Sequence, residues 1–182
     1  RTKLISRAEK LGDEVVGFVA PHFIKEDHFA YSVDNEFNAV IVEGLFSDKQ
    51  SFFGKGAGSY PTSSAVLSDI SALKFDYKYE YRKTDSDRRL QYTTDFFLKI
   101  YLGAPTVDLM SDISFAKIDE IFQSEDYIYQ IGWVRFSDIS KIDFNNKKDV
   151  SLILLPEPFQ KESPTTNKEN DIKLADLDAY IS

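Results

Sequence analysis

The stretch Phe52–Leu73, FFGKGAGSYPTSSAVLSDISAL, carries the densest signal in the chain. An aromatic strand end runs into glycines at alternate positions, Gly54, Gly56 and Gly58, followed by Pro61 and Thr62. Behind them Ala65, Val66, Ile70 and Leu73 fall on one side of a helix. Glycine lets the backbone take positive φ or approach another group closely. Proline suits the first turn of a helix, and Thr62, Ser63 or Ser64 can cap the free N–H groups there. The stretch therefore predicts a strand, a tight turn and a helix. Such a helix N-terminus presents amide donors and a positive dipole end, which suits a polar or anionic ligand. Spacing alone favours the plainer reading, in which the glycines only permit the turn. The three glycines do not make GxGxxG and no GK[ST] follows, so neither the dinucleotide fingerprint nor the Walker loop is present.

Working outward, Lys3–Ala8 and Glu14–Pro21 predict a hairpin bent at Gly12. The second strand is apolar on both faces and calls for cover on both. Pro21 should end it, because proline cannot donate to a ladder. His22 and His28 then fall in a polar loop, six apart and without a carboxylate at ligand spacing, so no metal site is assigned. Phe37–Phe46 and Gln50–Phe53 predict two more strands around the Ser47–Lys49 turn. Four strands and one helix imply an antiparallel sheet with the helix on one face. Asp34–Glu36 lacks the glycine and further oxygens of a calcium loop and reads as a solvated turn. Ser59, Ser63 and Ser64 have no histidine nearby and no GxSxG, so capping is the stronger reading.

The segment GKGAGSYPTSSAVLSDI resembles the GxGAGxxPTASAVxxDI motif of homoserine dehydrogenases. EVVGFVAPHFI resembles that family's strand ending in Val-x-Pro, FNAVIVEG its FNAVxVxG strand, and RTKLISRAEK its IKLIxxA strand. The resemblance covers residues 1–73. It implies a cytoplasmic enzyme that passes a hydride from NADPH or NADH to L-aspartate 4-semialdehyde, giving L-homoserine. It also implies that Gly58 approaches the cofactor, with Gly56, Pro61 and Thr62 beside it. In the family the Rossmann domain and the catalytic lysine belong to earlier segments that are not in this chain. No catalytic residue is therefore assigned here, and the fragment is expected to be inactive alone. A homodimer or homotetramer is expected, formed largely through the strands of residues 1–53.

Farther along, Phe75, Tyr77, Tyr79 and Tyr81 alternate with charged residues and predict a strand with one aromatic face. Thr84–Arg89 reads as a charged hinge, separating a first domain at 1–83 from a second at 90–158. The second domain reads as a strand at Phe96–Leu102, an amphipathic helix at Ser114–Ser124 and a strand at Tyr127–Phe136. A short helix at Ser137–Ile142 and a strand at Val150–Leu155 complete it. That order resembles a shrunken ACT domain, a small ferredoxin-like α+β fold. The family's glycine-bearing ligand loop after the first strand is here GAPTVDL, so no amino-acid effector is assigned. Residues 159–182 read as a flexible tail with a short terminal helix around Ile172–Tyr180.

Composition narrows the classes. The 182 residues contain no cysteine, which excludes thiolate chemistry and disulfide stapling. A net charge of −8 argues against nucleic acid. No apolar run reaches the length of a membrane span. The chain begins in strand-like sequence and reads as a piece of something longer. The alternative from another class is a non-catalytic dimerisation or regulatory binding module.

Overall fold

A turn at Gly12 folds Thr2–Leu11 (β1) back on Glu14–Phe23 (β2), with Thr2 opposite Phe23 and Leu11 opposite Glu14. The computed structural model describes residues 1–77 and 90–164. They fall into two compact units, one formed by Arg1–Glu26 with Leu90–Ser182 and the other by Asp27–Arg89. The expected hinge at Thr84–Arg89 and the expected terminal helix lie outside the described residues.

In the first unit β2 continues through Pro21 to Phe23, so proline does not end it. Arg1 and Ile24 exchange both backbone hydrogen bonds. Antiparallel pairs alternate between bonded and non-bonded positions, which places the Leu4–Pro21 pair at a non-bonded one. There the missing N–H costs no ladder bond.

The C-terminal half supplies Gln91–Tyr92 (β5), Phe97–Ala104 (β6), Phe115–Gln123 (β7), Ile128–Arg135 (β8) and Ser151–Leu154 (β9). With β1 and β2 they form one sheet in the order β1-β2-β9-β6-β8-β7, with β5 beside β2. Most pairings are antiparallel; β2 runs parallel to β5 and β9. Helix is scarce here, namely Phe136–Ile139 and the 3₁₀ turns Val107–Met110 and Phe144–Asn146. The fold is thus α+β with a mostly antiparallel sheet.

The helix expected at Ser114–Ser124 is instead strand β7. The register slips between Phe115 and Lys117 and again between Ile118 and Glu120. Each bulge adds a residue, so Phe115, Ile118 and Ile121 face Val134, Gly132 and Gln130, which all lie on one side of β8. A strand with two bulges thereby acquires the three-residue apolar spacing of a helix. Gly132 makes the bulged backbone's approach possible. A Cβ there would lie 2.2 Å from the Lys117 carbonyl oxygen and 2.9 Å from Ile118 Cα.

β6 lies between β9 and β8 and is buried along nearly its whole length. Leu98, Ile100 and Leu102 join Val16, Phe96, Met110, Ile113, Val134, Ile139 and Leu154 in one core. Tyr101 and Ile131 join Phe23 and Leu155 in a second. Burial of large aliphatic and aromatic groups is the main term holding such a unit together.

The second unit contains Phe37–Gly44 (β3), Asp48–Lys55 (β4) and the helix Ser59–Lys74 (α1). β3 and β4 form an antiparallel ribbon of their own, Phe37 opposite Lys55 and Gly44 opposite Asp48. The sequence reading of one four-stranded sheet under a helix is corrected on both points. The other edge of β2 is taken by β5 and β9, and α1 has no buried residue. Val66, Ile70 and Leu73 are all exposed. The strand expected from Phe75 does not begin there either. Tyr77 N–H bonds to the Ala72 carbonyl and Asp76 N–H to that of Leu73, with Asp76 at φ 53°. That is a Schellman closure of α1. Residues beyond Tyr77 in that expected strand lie outside the described ones.

Candidate functional site

The glycine turn joins β4 to α1. Gly54 still pairs in the ribbon, opposite Asn38. Gly56 N–H donates to the Glu36 carbonyl at 2.9 Å, and a Cβ on Gly56 would collide with the Asn38 side chain. Lys55 Nζ lies 2.8 Å from Glu36 Oε1 and 5.3 Å from the centre of the Phe37 ring. The bond from Lys55 holds the Glu36 carboxyl below the usual carboxylate range. The ribbon thus fixes the strand end of the turn, up to Gly56, through Glu36, Asn38 and Lys55.

Gly58 is the N-cap of α1 at φ 113° and ψ 152°, a conformation essentially restricted to glycine. No side chain caps the helix, contrary to the capping expected of Thr62, Ser63 or Ser64. Thr62 turns the other way: its hydroxyl donates to the Gly58 carbonyl at 2.8 Å, beside the 3.2 Å backbone bond from Thr62 N–H. Pro61 sits in the first turn and has no N–H. The N–H groups of Gly58, Ser59 and Tyr60 therefore have no intrahelical acceptor. Residues 54–60 are exposed, so this end of the helix is open to a ligand. The structure brings Gly56, Gly58, Pro61 and Thr62 together at one helix start.

The homoserine dehydrogenase family matches residues 1–71. A Bacillus subtilis homoserine dehydrogenase is 30% identical over 125 residues, 66% of this chain and 28% of that protein. Residues 1–71 are thus similar in sequence to a segment of homoserine dehydrogenases. The homoserine dehydrogenase of a Synechocystis strain is 44% identical over 52 residues, 29% of this chain and 12% of that protein. The crystal structure of a Thiobacillus denitrificans homoserine dehydrogenase shares the fold, with a TM-score of 0.59 at 23% identity. That match covers 86% of this chain and 42% of that one. The chain thus spans less than a third of the curated homoserine dehydrogenases it matches.

Within residues 1–71 the two histidines part ways. His22 is buried in β2, stacked on Phe18 with Nδ1 2.9 Å from the Ala20 carbonyl, rather than exposed in a loop. His22 shares the face of β2 on which Phe18 packs against the core, which accounts for its burial. His28 stays in the following loop, half-buried, and accepts from Ala30 N–H at 3.1 Å. Burial lowers its pKa, against the opposing charge of Asp27. Among the described residues no group of three or more His, Cys, Asp or Glu is placed to hold a metal ion. Among them, too, no helix is long and apolar enough to cross a membrane.

One polar cluster escaped the sequence reading. Lys99, in the middle of β6 and only 5% exposed, lies opposite Trp133. Its Nζ is 3.0 Å from Asp119 Oδ2 on β7 and 3.3 Å from Glu157 Oε1 beyond β9. Lys117 Nζ completes the cluster 2.8 Å from Asp119 Oδ1. Burial pushes the Asp119 carboxyl up, but the bonds from Lys117 and Lys99 outweigh it and hold the pKa below its ordinary value. The available signal was a lone lysine inside the apolar run Phe96–Leu102, which demands a buried counter-charge.

Proposed function

We propose that this chain is the C-terminal part of a homoserine dehydrogenase, which reduces L-aspartate 4-semialdehyde to L-homoserine with NADPH or NADH. The observation that carries the reading is the Gly54–Thr62 turn in its family context, with an open, uncapped helix start built on a glycine-only backbone. Amide donors at Gly58, Ser59 and Tyr60 fit a polar or anionic part of the cofactor. Gly58 admits the close approach, Gly56 keeps the turn against Asn38, and Pro61 and Thr62 fix the first helical turn. The dinucleotide supplies the hydride when bound; the residues here contribute contacts and placement, not proton transfer. The dinucleotide fold and the acid–base lysine belong to the rest of the parent.

The reading extends to the C-terminal half as an ACT-like domain. Its support is that the last of β6, β7, β8 and β9 lies beside the first, and the third between first and second. A split β-α-β pattern has that order, here with both helices cut to short turns. The parent is a cytoplasmic homodimer or homotetramer in this reading. The ribbon β3–β4 exposes Val40, Val42 and Phe52 on one face and Ile41 and Phe53 on the other. A two-stranded ribbon is marginal alone and calls for cover.

Hydride transfer needs the nicotinamide beside the aldehyde and a proton donor within hydrogen-bond reach. The chain alone should therefore leave NADPH oxidation with aspartate semialdehyde at the uncatalysed rate, and the complete protein should sustain turnover. Turnover by the chain alone contradicts the division of labour. Inactivity of both favours the binding-module alternative.

A further inference from the structure

The chain after β9 continues beside β6 as a bulged strap. β9 stops at Leu154, and Pro156 and Pro158 cannot donate to a ladder. Leu155 N–H still reaches the Lys99 carbonyl at 3.0 Å. Pairing resumes at Gln160, which exchanges both backbone bonds with Phe97, at 2.7 and 3.2 Å. Between Ile100 and Phe97 on β6, the strap therefore holds an excess of residues over its partner. The bulged piece sends two side chains into separate groups. Glu157 meets Lys99. Phe159 enters an aromatic group with Phe18 at 5.4 Å and Phe96 at 5.2 Å between ring centres.

The same strap reaches both strands of the N-terminal hairpin. The Arg7 guanidinium lies 4.1 Å over the Phe159 ring, and Lys161 pairs with Glu14. The ladder between hairpin and C-terminal strands is thin by contrast. Among the described residues β2 pairs with β9 at His22–Leu154 and with β5 at Glu14–Gln91 and Val15–Tyr92, and Thr93 N–H adds a bond to the Val15 carbonyl at 3.0 Å. Of the hairpin's apolar residues, Val16 is buried in the first core and Phe23 in the second.

We propose that residues 155–161 are a clasp that fastens the β1–β2 hairpin to the C-terminal strands. When it is released, the hairpin opens as a unit of its own while β6 and β8 stay folded. Local opening of this kind is read by native-state hydrogen exchange. In the Phe159→Ala chain the amides of the β1–β2 ladder should lose protection by on the order of 100-fold. Amides of β6 and β8, such as Ile100 and Val134, should keep theirs within about threefold. Equal loss in both regions, or none in the hairpin, overturns the clasp. Should Phe159→Ala fail to fold, Arg7→Gln decides. It should cost the hairpin amides alone about tenfold, and an unchanged or evenly spread pattern overturns the proposal.

Discussion

Replacing Lys99 by alanine is expected to destabilise the first unit by about 3–5 kcal/mol, read from denaturant unfolding. Lys99 is buried with Asp119 and Glu157 against its ammonium, and both carboxylates are largely shielded from water. Removing the cation leaves Asp119 to Lys117 alone and strips Glu157 of its counter-charge. The large cost comes from the stranded carboxylates, not from a large net value of the intact pair. Lys99→Met combined with Asp119→Leu and Glu157→Gln should therefore recover most of the loss. A loss below about 1 kcal/mol in Lys99→Ala would show that water already solvates the cluster.

The pH dependence has a definite sign. The folded pKa of Asp119 is depressed, so its contribution is fully present above its unfolded value, about 3.9. It is lost as pH falls through the folded pKa. Asp119→Asn should flatten the stability profile below about pH 4 and leave its shape near neutrality unchanged.

Phe96→Ala should cost about 3–5 kcal/mol in the same unfolding experiment. Phe96 is fully buried, with ring centres of Phe136 at 4.8 Å, Phe159 at 5.2 Å and Phe18 at 6.2 Å. Those rings come from three separate stretches of chain, so they cannot collapse together to fill the hole without moving β2, the Phe136–Ile139 helical turn and the strap. Leu67→Ala on α1 is the contrast. Leu67 is 63% exposed, and the change should stay within about 0.5 kcal/mol.

Local pattern made part of this fold legible. Alternation and the Gly12 turn give the first hairpin, and Phe37–Phe53 gives the ribbon. The glycines, Pro61 and the apolar spacing behind them give α1. What stayed hidden depends on partners distant in sequence. The bulges in β7 exist only relative to β8, and without β8 the spacing of Phe115, Ile118 and Ile121 reads as a helix. Pro21 breaks a strand by rule, yet its place in the ladder with β1 removes the penalty. The seam between residues 14–22 and the C-terminal strands, which splits the first unit across the chain, leaves no local trace.

The candidate site was legible in composition but not in detail. Gly58 takes the positive φ that its glycine suggested. Thr62, however, uses its hydroxyl as a donor to the Gly58 carbonyl instead of capping an amide. That difference leaves the helix start more open than the sequence reading assumed.

The most direct test of this turn's role is Gly58→Val in the complete protein, assayed by NADPH oxidation with aspartate semialdehyde. A β-branched residue at φ 113° is strained by on the order of 1–3 kcal/mol and fills the approach that glycine leaves open. The cofactor KM should rise at least about tenfold, with helix content and the KM for the semialdehyde nearly unchanged. A folded Gly58→Val protein with unaltered cofactor KM and kcat would contradict a cofactor-facing turn.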